Sequence, residues 1–214
     1  SNINVDLMSA LPFQTEESFY ATLRSVSGLA PKHLSVYSLI VEENTPLYDW
    51  VHAGNEDKLP SEETERNMYY RTREILEEYG YYRYEVSNYA KPGYECRHNL
   101  GYWERKEYAG FGLGAASLVK DRRYNNVSDW NEYIESCGSR KVNEELLEKK
   151  DAMAEFMFLG LRKTKGIDKQ EFFDMFDVEY DSVYGKVTKR LTAKGFLRVE
   201  EQRVMLTDLG IDVS

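Results

Sequence analysis

The sequence has few of the residues that form disulfides or hold metal clusters. It contains two cysteines, Cys96 and Cys137, which are 41 positions apart, and three histidines in 214 residues. Two cysteines so far apart can build neither a disulfide framework nor a cysteine-rich cluster by themselves. We therefore expect no complete iron–sulfur or other metal cluster from this chain alone.

Long apolar runs and an excess of positive charge are also missing. No apolar stretch approaches the roughly 20 residues that cross a bilayer, and the first residues lack the basic-then-apolar order of a signal peptide. Lys and Arg number 28 against 37 Asp and Glu, a formal net charge of −9, which disfavours nucleic acid as a partner. We expect a cytoplasmic protein with no integral membrane segment, whose partner is a small molecule or another protein.

Hydrophobic and aromatic residues, by contrast, are abundant. Hydrophobic residues make up 42% of the chain, and 17 Tyr, 9 Phe and 3 Trp bring the aromatic share to 14%. Many of these aromatic residues fall between positions 69 and 108. Aromatic side chains often line apolar pockets, but the composition alone favours ordinary core and surface tyrosines.

The first 90 residues alternate between strand-like and helix-like patterns. Residues 3–8, 33–41 and 82–89 are predicted strands, and Thr15 and Ser61 are predicted to cap the two helices between them. The order strand, helix, strand, helix, strand predicts parallel βαβ units with helices packed outside a sheet. In such sheets, ligands bind at the carboxyl ends of the strands.

The last third of the chain predicts a separate small domain. After a first helical pattern, residues 168–176 and 181–194 are predicted helices, and residues 196–200 and 203–207 form a predicted β-hairpin. This order is that of a winged helix, which raises the alternative of a DNA-binding regulator. Residues 151–214 carry ten Lys and Arg against twelve Asp and Glu, however, and this acidic balance favours a packing module.

Asp6 is the first candidate binding residue. It is a single carboxylate in an otherwise apolar predicted strand, close to the edge where a ligand would sit. Such a carboxylate can accept hydrogen bonds from the two hydroxyls of a ribose. It can equally cap the following turn, so the residue alone decides neither role.

The richest segment contains His98, Asn99, Tyr102 and Trp103, a group that we call the haem motif. It follows a Pro-Gly turn that we expect to keep His98 outside regular structure. A histidine beside aromatic faces can ligate haem iron while the rings pack on the macrocycle. A hydrogen-bonded structural histidine is the alternative. The glycine-rich residues 108–117 form a predicted strand or strand-like turn that allows close backbone approach.

Together these segments resemble the second half of the HemW-type radical S-adenosylmethionine proteins, which are haem chaperones related to oxygen-independent coproporphyrinogen III oxidase. The resemblance covers nearly the whole chain. It rests on five ordered motifs: Asp6-Leu7-Met8 with Ala10-Leu11-Pro12 and Gln14-Thr15; His33 to Leu39 with Glu42 and Thr45-Pro46; Tyr84 to Ala90; His98 to Trp103; and Gly110 to Ala115.

The resemblance implies an α/β fold in two parts. Residues 1–142 would form the second half of a radical-SAM partial (β/α) barrel, and residues 143–214 a small winged-helix-like carboxyl-terminal domain. Asp6 matches the aspartate that binds the ribose of S-adenosylmethionine. The haem motif matches the family's suspected haem-binding element, with His98 as the candidate ligand of the haem iron.

One departure from the family pattern is large. The cluster motif Cys-x3-Cys-x2-Cys, which in the family precedes the segment matching Asp6, does not occur here. We therefore expect a carboxyl-terminal part, inactive alone, of a parent that holds S-adenosylmethionine, a 4Fe–4S cluster and haem and transfers haem to an acceptor such as a respiratory enzyme. The alternative parent is an oxygen-independent coproporphyrinogen III oxidase. Ala10 and Phe13 stand where the family commonly has Gly, so we expect an altered turn after the first strand.

Overall fold

A computed structural model describes residues 2–213; residues 1 and 214, which the predicted domain limits include, lie outside the described range. The chain divides into two compact units, Ser1–Cys96 and Arg97–Ser214. The predicted boundary between residues 142 and 143 falls inside a strand of the second unit, and it stays a prediction. Within residues 2–213, every helix is too short or too polar to span a bilayer.

The first unit is a four-stranded sheet with its two long helices on one face. In chain order the elements are β1 (Asn4–Ser9), α1 (Glu16–Gly28), β2 (His33–Ser38), α2 (Pro46–His52), a 3-10 turn (Glu56–Lys58), α3 (Glu62–Glu78), β3 (Tyr82–Arg83) and β4 (Asn88–Ala90). The strands lie in the order β1-β2-β4-β3.

Local sequence signals set both long helices of this unit. The hydroxyl of Thr15 accepts a 3.2 Å hydrogen bond from the amide of Ser18, and that of Ser61 accepts a 3.1 Å bond from Thr64. Both predicted caps are therefore confirmed. The helix α2 was not predicted from the sequence, although Thr45 caps it and Pro46 stands at its first position.

The direction of the last predicted strand was wrong. β1 and β2 are parallel, as predicted, but β4 pairs antiparallel with both β2 and β3. Residues 82–89 are not one strand because they turn back at 84–87. The carboxylate of Glu85 accepts a 2.9 Å bond from the amide of Ser87, a side-chain to backbone contact that competes with strand pairing.

The sheet of the first unit has one apolar and one polar face. Alternate residues of each strand point to opposite faces. The apolar face contains Val5, Leu7, Leu34 and Val36 and packs on α1 and α3. The other residues of this core are Phe19, Leu23, Met68, Ile75, Leu76, Tyr81 and Tyr89. The register places Asn4 beside His33 and Asp6 beside Ser35. Polar side chains from neighbouring strands therefore meet on the second face.

The second unit contains two antiparallel three-stranded sheets, ordered β5-β6-β7 and β8-β10-β9. In chain order its elements are α4 (Arg97–Trp103), β5 (Ala116–Val119), β6 (Arg122–Asn126), α5 (Trp130–Glu135), β7 (Lys141–Leu146), α6 (Lys149–Gly160), β8 (Ile167–Asp168), α7 (Lys169–Phe176), α8 (Tyr180–Val183), α9 (Gly185–Ala193), β9 (Leu197–Glu200), β10 (Arg203–Leu206) and α10 (Asp208–Asp212).

Packing in the last part of the unit centres on aromatic rings. Phe156, Phe172, Phe176 and Tyr180 are buried together, with ring centroids 4.9–5.8 Å apart. The predicted hairpin is confirmed by the antiparallel pairing of β9 with β10. The single helix predicted over 181–194 is wrong in detail, since α8 ends before Tyr184 and α9 begins at Gly185, a residue with low helix propensity.

Candidate functional site

Asp6 lies in the middle of β1, on the polar face of the sheet. Its Oδ1 accepts a 2.6 Å hydrogen bond from Nδ2 of Asn4. Partial desolvation raises the pKa of Asp6, but hydrogen bonds from Ser35, Asn4 and Tyr37 together outweigh this effect and hold the pKa below its ordinary value. The carboxylate is therefore ionised, and hydrogen bonds from residues of the same sheet hold its orientation.

A chain of hydrogen bonds runs away from this carboxylate, and we call it the Asp6 network. Oδ1 of Asn4 lies 2.6 Å from Nδ1 of His33, and Nε2 of His33 lies 2.7 Å from the hydroxyl of Tyr84. The amide of Cys96 donates to the same hydroxyl at 3.3 Å. Because Oδ1 of Asn4 can only accept, Nδ1 of His33 carries the proton, and Nε2 accepts from Tyr84. Every donor in the network therefore points toward Asp6.

His33 is neutral in this arrangement. Burial lowers its pKa, and the attraction of Asp6 and Glu95 only partly offsets that effect. From the sequence, His33 was placed at the start of a predicted strand and in the second family motif, and its contact with Asn4 was not predicted. The parallel register of β1 and β2 is the signal that would have indicated this contact.

The haem motif lies on α4, so the expectation that His98 stands outside regular structure is wrong. The Pro-Gly turn closes between Lys91 and Tyr94, where the amide of Tyr94 donates to the carbonyl of Lys91 at 3.0 Å. The helix begins three residues later at Arg97. The turn therefore ends too early to prevent helix formation at His98.

Helical spacing brings His98 and Tyr102 together. These residues are four positions apart, and their rings meet edge to face with centroids 4.8 Å apart. Tyr102 makes a similar 4.8 Å contact with Tyr108. His98 is exposed, Asn99 is half-buried, and the His98 imidazole has no hydrogen-bond partner in the part of the chain that the structure describes. Its ring nitrogens are therefore open to a ligand.

Tyr102 and Trp103 both line a cavity of about 320 Å³, which we call the α4 cavity. Nε1 of Trp103 is buried, and no acceptor within residues 2–213 satisfies it. The guanidinium of Arg162 stacks on the same indole, 4.5 Å from the ring centroid. The other lining residues are Arg105, Lys106, Tyr108, Leu118, Arg123, Glu155, Phe158 and Leu159.

Charged residues on one side of the α4 cavity bind one another. Glu155 is 7% exposed, and its two carboxylate oxygens lie 3.1 Å from Nε of Arg105 and 2.6 Å from Nη2 of Arg123. Arg105 also contacts Asp121 at 2.6 Å. Arg105 lies two residues beyond the end of α4 and has a left-handed backbone, with φ of 53°. This ion-pair network therefore fixes the end of the helix that carries Tyr102 and Trp103.

The glycine-rich segment predicted as a strand or strand-like turn is mainly a loop that leads into β5. Gly110 is required there because a Cβ would lie 2.2 Å from the carbonyl oxygen of Ala116. Nδ2 of Asn126 donates to the carbonyls of Gly110 and Gly112 at 3.1 and 2.8 Å. Phe111 at the tip is 90% exposed.

The residues of this chain do not fit a 4Fe–4S cluster. Cys96 is half-buried and Cys137 is exposed, and both are free thiols. Across residues 2–213, no three His, Cys, Asp or Glu side chains are grouped as metal ligands. We therefore derive no chemical step through a cluster from these residues.

The turn after β1 uses two residues where the resembled family commonly has glycine. Ala10 and Phe13 have φ of 60° and 63°, the left-handed region that glycine enters at low cost. The amide of Phe13 donates to the carbonyl of Lys58 at 2.7 Å. The turn thus adopts a left-handed backbone without glycine at either position.

Comparisons with known proteins agree with these features. Residues 147–213 match the family model of the HemN C-terminal domain. The haem chaperone HemW of Lactococcus lactis is 37% identical over 213 residues, covering 99% of this chain and 56% of the relative. HemW of Bacillus subtilis is 37% identical over 214 residues, covering 98% of this chain and 56% of the relative. A zebrafish protein, radical S-adenosyl methionine domain-containing protein 1, is 29% identical over 197 residues, covering 86% of this chain and 44% of the relative.

The fold also has a solved neighbour. Coproporphyrinogen III oxidase (HemN) from Escherichia coli, described as a radical SAM enzyme, aligns with a TM-score of 0.77 and 20% identity over all of this chain and 53% of that chain. This likeness shows the fold, which is a mixed α/β fold resembling the carboxyl-terminal region of HemN.

These matches define the class as the radical S-adenosylmethionine proteins related to coproporphyrinogen III oxidase. Within this class, the chain resembles the carboxyl-terminal part of the HemW-type proteins, the relatives that are named haem chaperones. It spans about half the length of the curated relatives that it matches. The resemblance drawn from the five motifs is therefore confirmed.

Proposed function

We propose that this chain is the carboxyl-terminal part of a haem chaperone, which binds haem at α4 and transfers it to an acceptor such as a respiratory enzyme. One observation carries the proposal. Tyr102 and Trp103 line the α4 cavity, and His98, one turn earlier on the same helix, packs against Tyr102 and presents an imidazole without a hydrogen bond. An imidazole beside aromatic faces is suited to haem.

Each member of the haem motif has a part in this proposal. His98 ligates the iron through its exposed imidazole, and Tyr102 and Trp103 pack on the macrocycle. The buried Nε1 of Trp103, which lacks an acceptor in the described part of the chain, donates to a haem carboxylate. Half-buried Asn99 offers a further hydrogen bond at the rim. Because His98 is exposed, an acceptor protein can reach the iron and replace His98 as its ligand.

The proposal extends to the parent protein. In it, residues 1–142 complete a partial (β/α) barrel and residues 143–214 form a winged-helix-like domain, which the antiparallel sheet β8-β10-β9 supports. Asp6 accepts hydrogen bonds from the ribose of S-adenosylmethionine, held for that role by the Asp6 network. The remainder of the parent would hold the 4Fe–4S cluster, for which the described residues of this chain supply no ligand group.

The alternative is an oxygen-independent coproporphyrinogen III oxidase. The solved neighbour has that activity, but at 20% identity its likeness extends to the fold alone. The relatives at 37% identity are named haem chaperones, and they favour transfer of haem over its synthesis.

A transfer assay on the full-length protein tests the proposal. We expect the protein to bind haem and to pass it to an apo haem protein, with no decarboxylation of coproporphyrinogen III. Trp103→Ala should weaken haem binding by about tenfold or more, as loss of an aromatic contact and a hydrogen bond does. Trp130→Ala removes an exposed tryptophan of α5 outside the α4 cavity and serves as the matched control. Decarboxylation without haem transfer would instead establish the oxidase.

A further inference from the structure

The α4 cavity has a second aromatic side that the haem motif does not supply. Phe158 and Leu159 of α6 line it together with Tyr102 and Trp103. Phe158 and Leu159 lie within the region that matches the HemN C-terminal domain. The cavity is therefore shared between the helix of the haem motif and a helix of that domain.

Phe158 is a large apolar residue of α6 whose side chain is left exposed. Phe156, two positions earlier, is 6% exposed in the aromatic core, whereas Phe158 is 59% exposed. A large apolar side chain left open beside a cavity is costly to solvate and is available to a ligand. Phe158 thus faces the α4 cavity without being needed for the core of the domain.

The lining of the cavity favours a flat apolar ligand. Four aromatic residues line it, namely Tyr102, Trp103, Tyr108 and Phe158, together with Leu118 and Leu159. Arg105 and Arg123 are already paired with Glu155, so they contribute little free charge. An aromatic macrocycle offers these side chains two faces for stacking, which a small polar metabolite would not.

The spacing between the two sides is fixed by Glu155. This residue lies three and four positions before Phe158 and Leu159, so it belongs to the same helical turn. Its carboxylate binds Arg105, two residues beyond Trp103. The turn of α6 that presents Phe158 is thereby tied to the end of α4.

We propose that α6 of the HemN C-terminal domain forms the second side of the haem site, with Phe158 in contact with the macrocycle and Glu155 as a positioning residue. This inference rests on the proposed haem site at α4. It assigns a binding role to a domain that sequence analysis treated as a packing module.

Haem titration of the full-length protein, followed in the Soret region, tests this assignment. Phe158→Ala should weaken haem binding by about tenfold, the loss expected for one aromatic stacking contact with its buried area. The wavelength of the Soret band should stay unchanged because the iron ligand is retained. Phe173→Ala, which removes a partly exposed phenylalanine of α7 that does not line the cavity, should leave the affinity unchanged. Phe158→Leu should restore part of the affinity.

The outcomes separate this inference from the proposed function. If Phe158→Ala binds haem as the wild type does while Trp103→Ala does not, the role of α6 is wrong and the site at α4 stands. Equal losses in Phe158→Ala and Phe173→Ala would also overturn the role of α6, because they would reflect a general effect on the domain. A wild-type protein that binds no haem would overturn both proposals.

Discussion

The two candidate sites differ in how their polar groups are satisfied. Around Asp6, hydrogen bonds link Asn4, His33 and Tyr84 in one direction, and they leave the carboxylate ionised and fixed. On α4, His98 has no hydrogen-bond partner within the described residues, and Nε1 of Trp103 is buried without an acceptor. The first site has its polar groups paired within the protein, whereas the second has polar groups without a partner among the described residues.

Ion pairs of Glu155 with Arg105 and Arg123 stabilise the second region, and Glu155→Ala should remove them. Removing Glu155 leaves Arg105, which is 9% exposed, with Asp121 as its remaining partner. We expect the free energy of unfolding to fall by about 3 kcal/mol, since Asp121 alone compensates the buried charge of Arg105 only in part. Chemical denaturation measures this. Glu144→Ala removes an exposed partner of Arg122 and should cost less than about 1 kcal/mol. Equal effects would show that the buried network is dispensable.

Asn4→Ala should uncouple Asp6 from its network. The substitution removes the 2.6 Å donor to the Asp6 carboxylate and leaves Nδ1 of buried His33 without its acceptor. We expect the pKa of Asp6 to rise and the free energy of unfolding to fall by about 1–2 kcal/mol. An NMR titration of the side-chain carboxyl carbons measures the pKa. Asn67→Ala, which removes an exposed bond to Glu16, is the control. An unchanged Asp6 pKa in Asn4→Ala would refute the network.

The Asp6 network should also show itself in the pH dependence of stability. Burial outweighs the attraction of Asp6 and Glu95 and holds the pKa of His33 below its ordinary 6.5. The unfolded chain therefore takes up this proton at a higher pH than the folded chain. As the pH falls below about 6.5, the free energy of unfolding should fall, and this contribution should level off below the folded pKa. Denaturation between pH 7 and 5 should show this slope, and His33→Gln should remove it. The same slope in the variant would assign it to another group.

Local sequence patterns predicted the elements whose signals are also local. The caps at Thr15 and Ser61 and the hairpin β9–β10 depend on neighbouring residues, and all three are confirmed. The antiparallel direction of β4 depends on partners distant in sequence, and it was predicted wrongly. The strand β6, Arg122–Asn126, was missed because Tyr124 is its one apolar residue and no apolar alternation results.

The same distinction applies to the sites. The sequence and its family resemblance indicated Asp6, His98, Asn99, Tyr102 and Trp103 as candidate site residues, which stay predictions. Their partners were not found, because pairing of β1 with β2 joins Asn4 to His33, and an ion pair joins Arg105 to Glu155, 50 residues further on. Such contacts follow from tertiary packing, which neither periodicity nor spacing reveals.

Haem titration of the full-length protein carrying His98→Ala tests the central claim most directly, with His52→Ala as an exposed-histidine control. If His98 ligates the iron, His98→Ala should shift or abolish the Soret band and leave the melting temperature nearly unchanged, because the imidazole is exposed and makes no hydrogen bond within residues 2–213. His52→Ala should retain the wild-type spectrum. An intact Soret band in His98→Ala, together with a lowered melting temperature, would contradict the account and assign His98 a structural role.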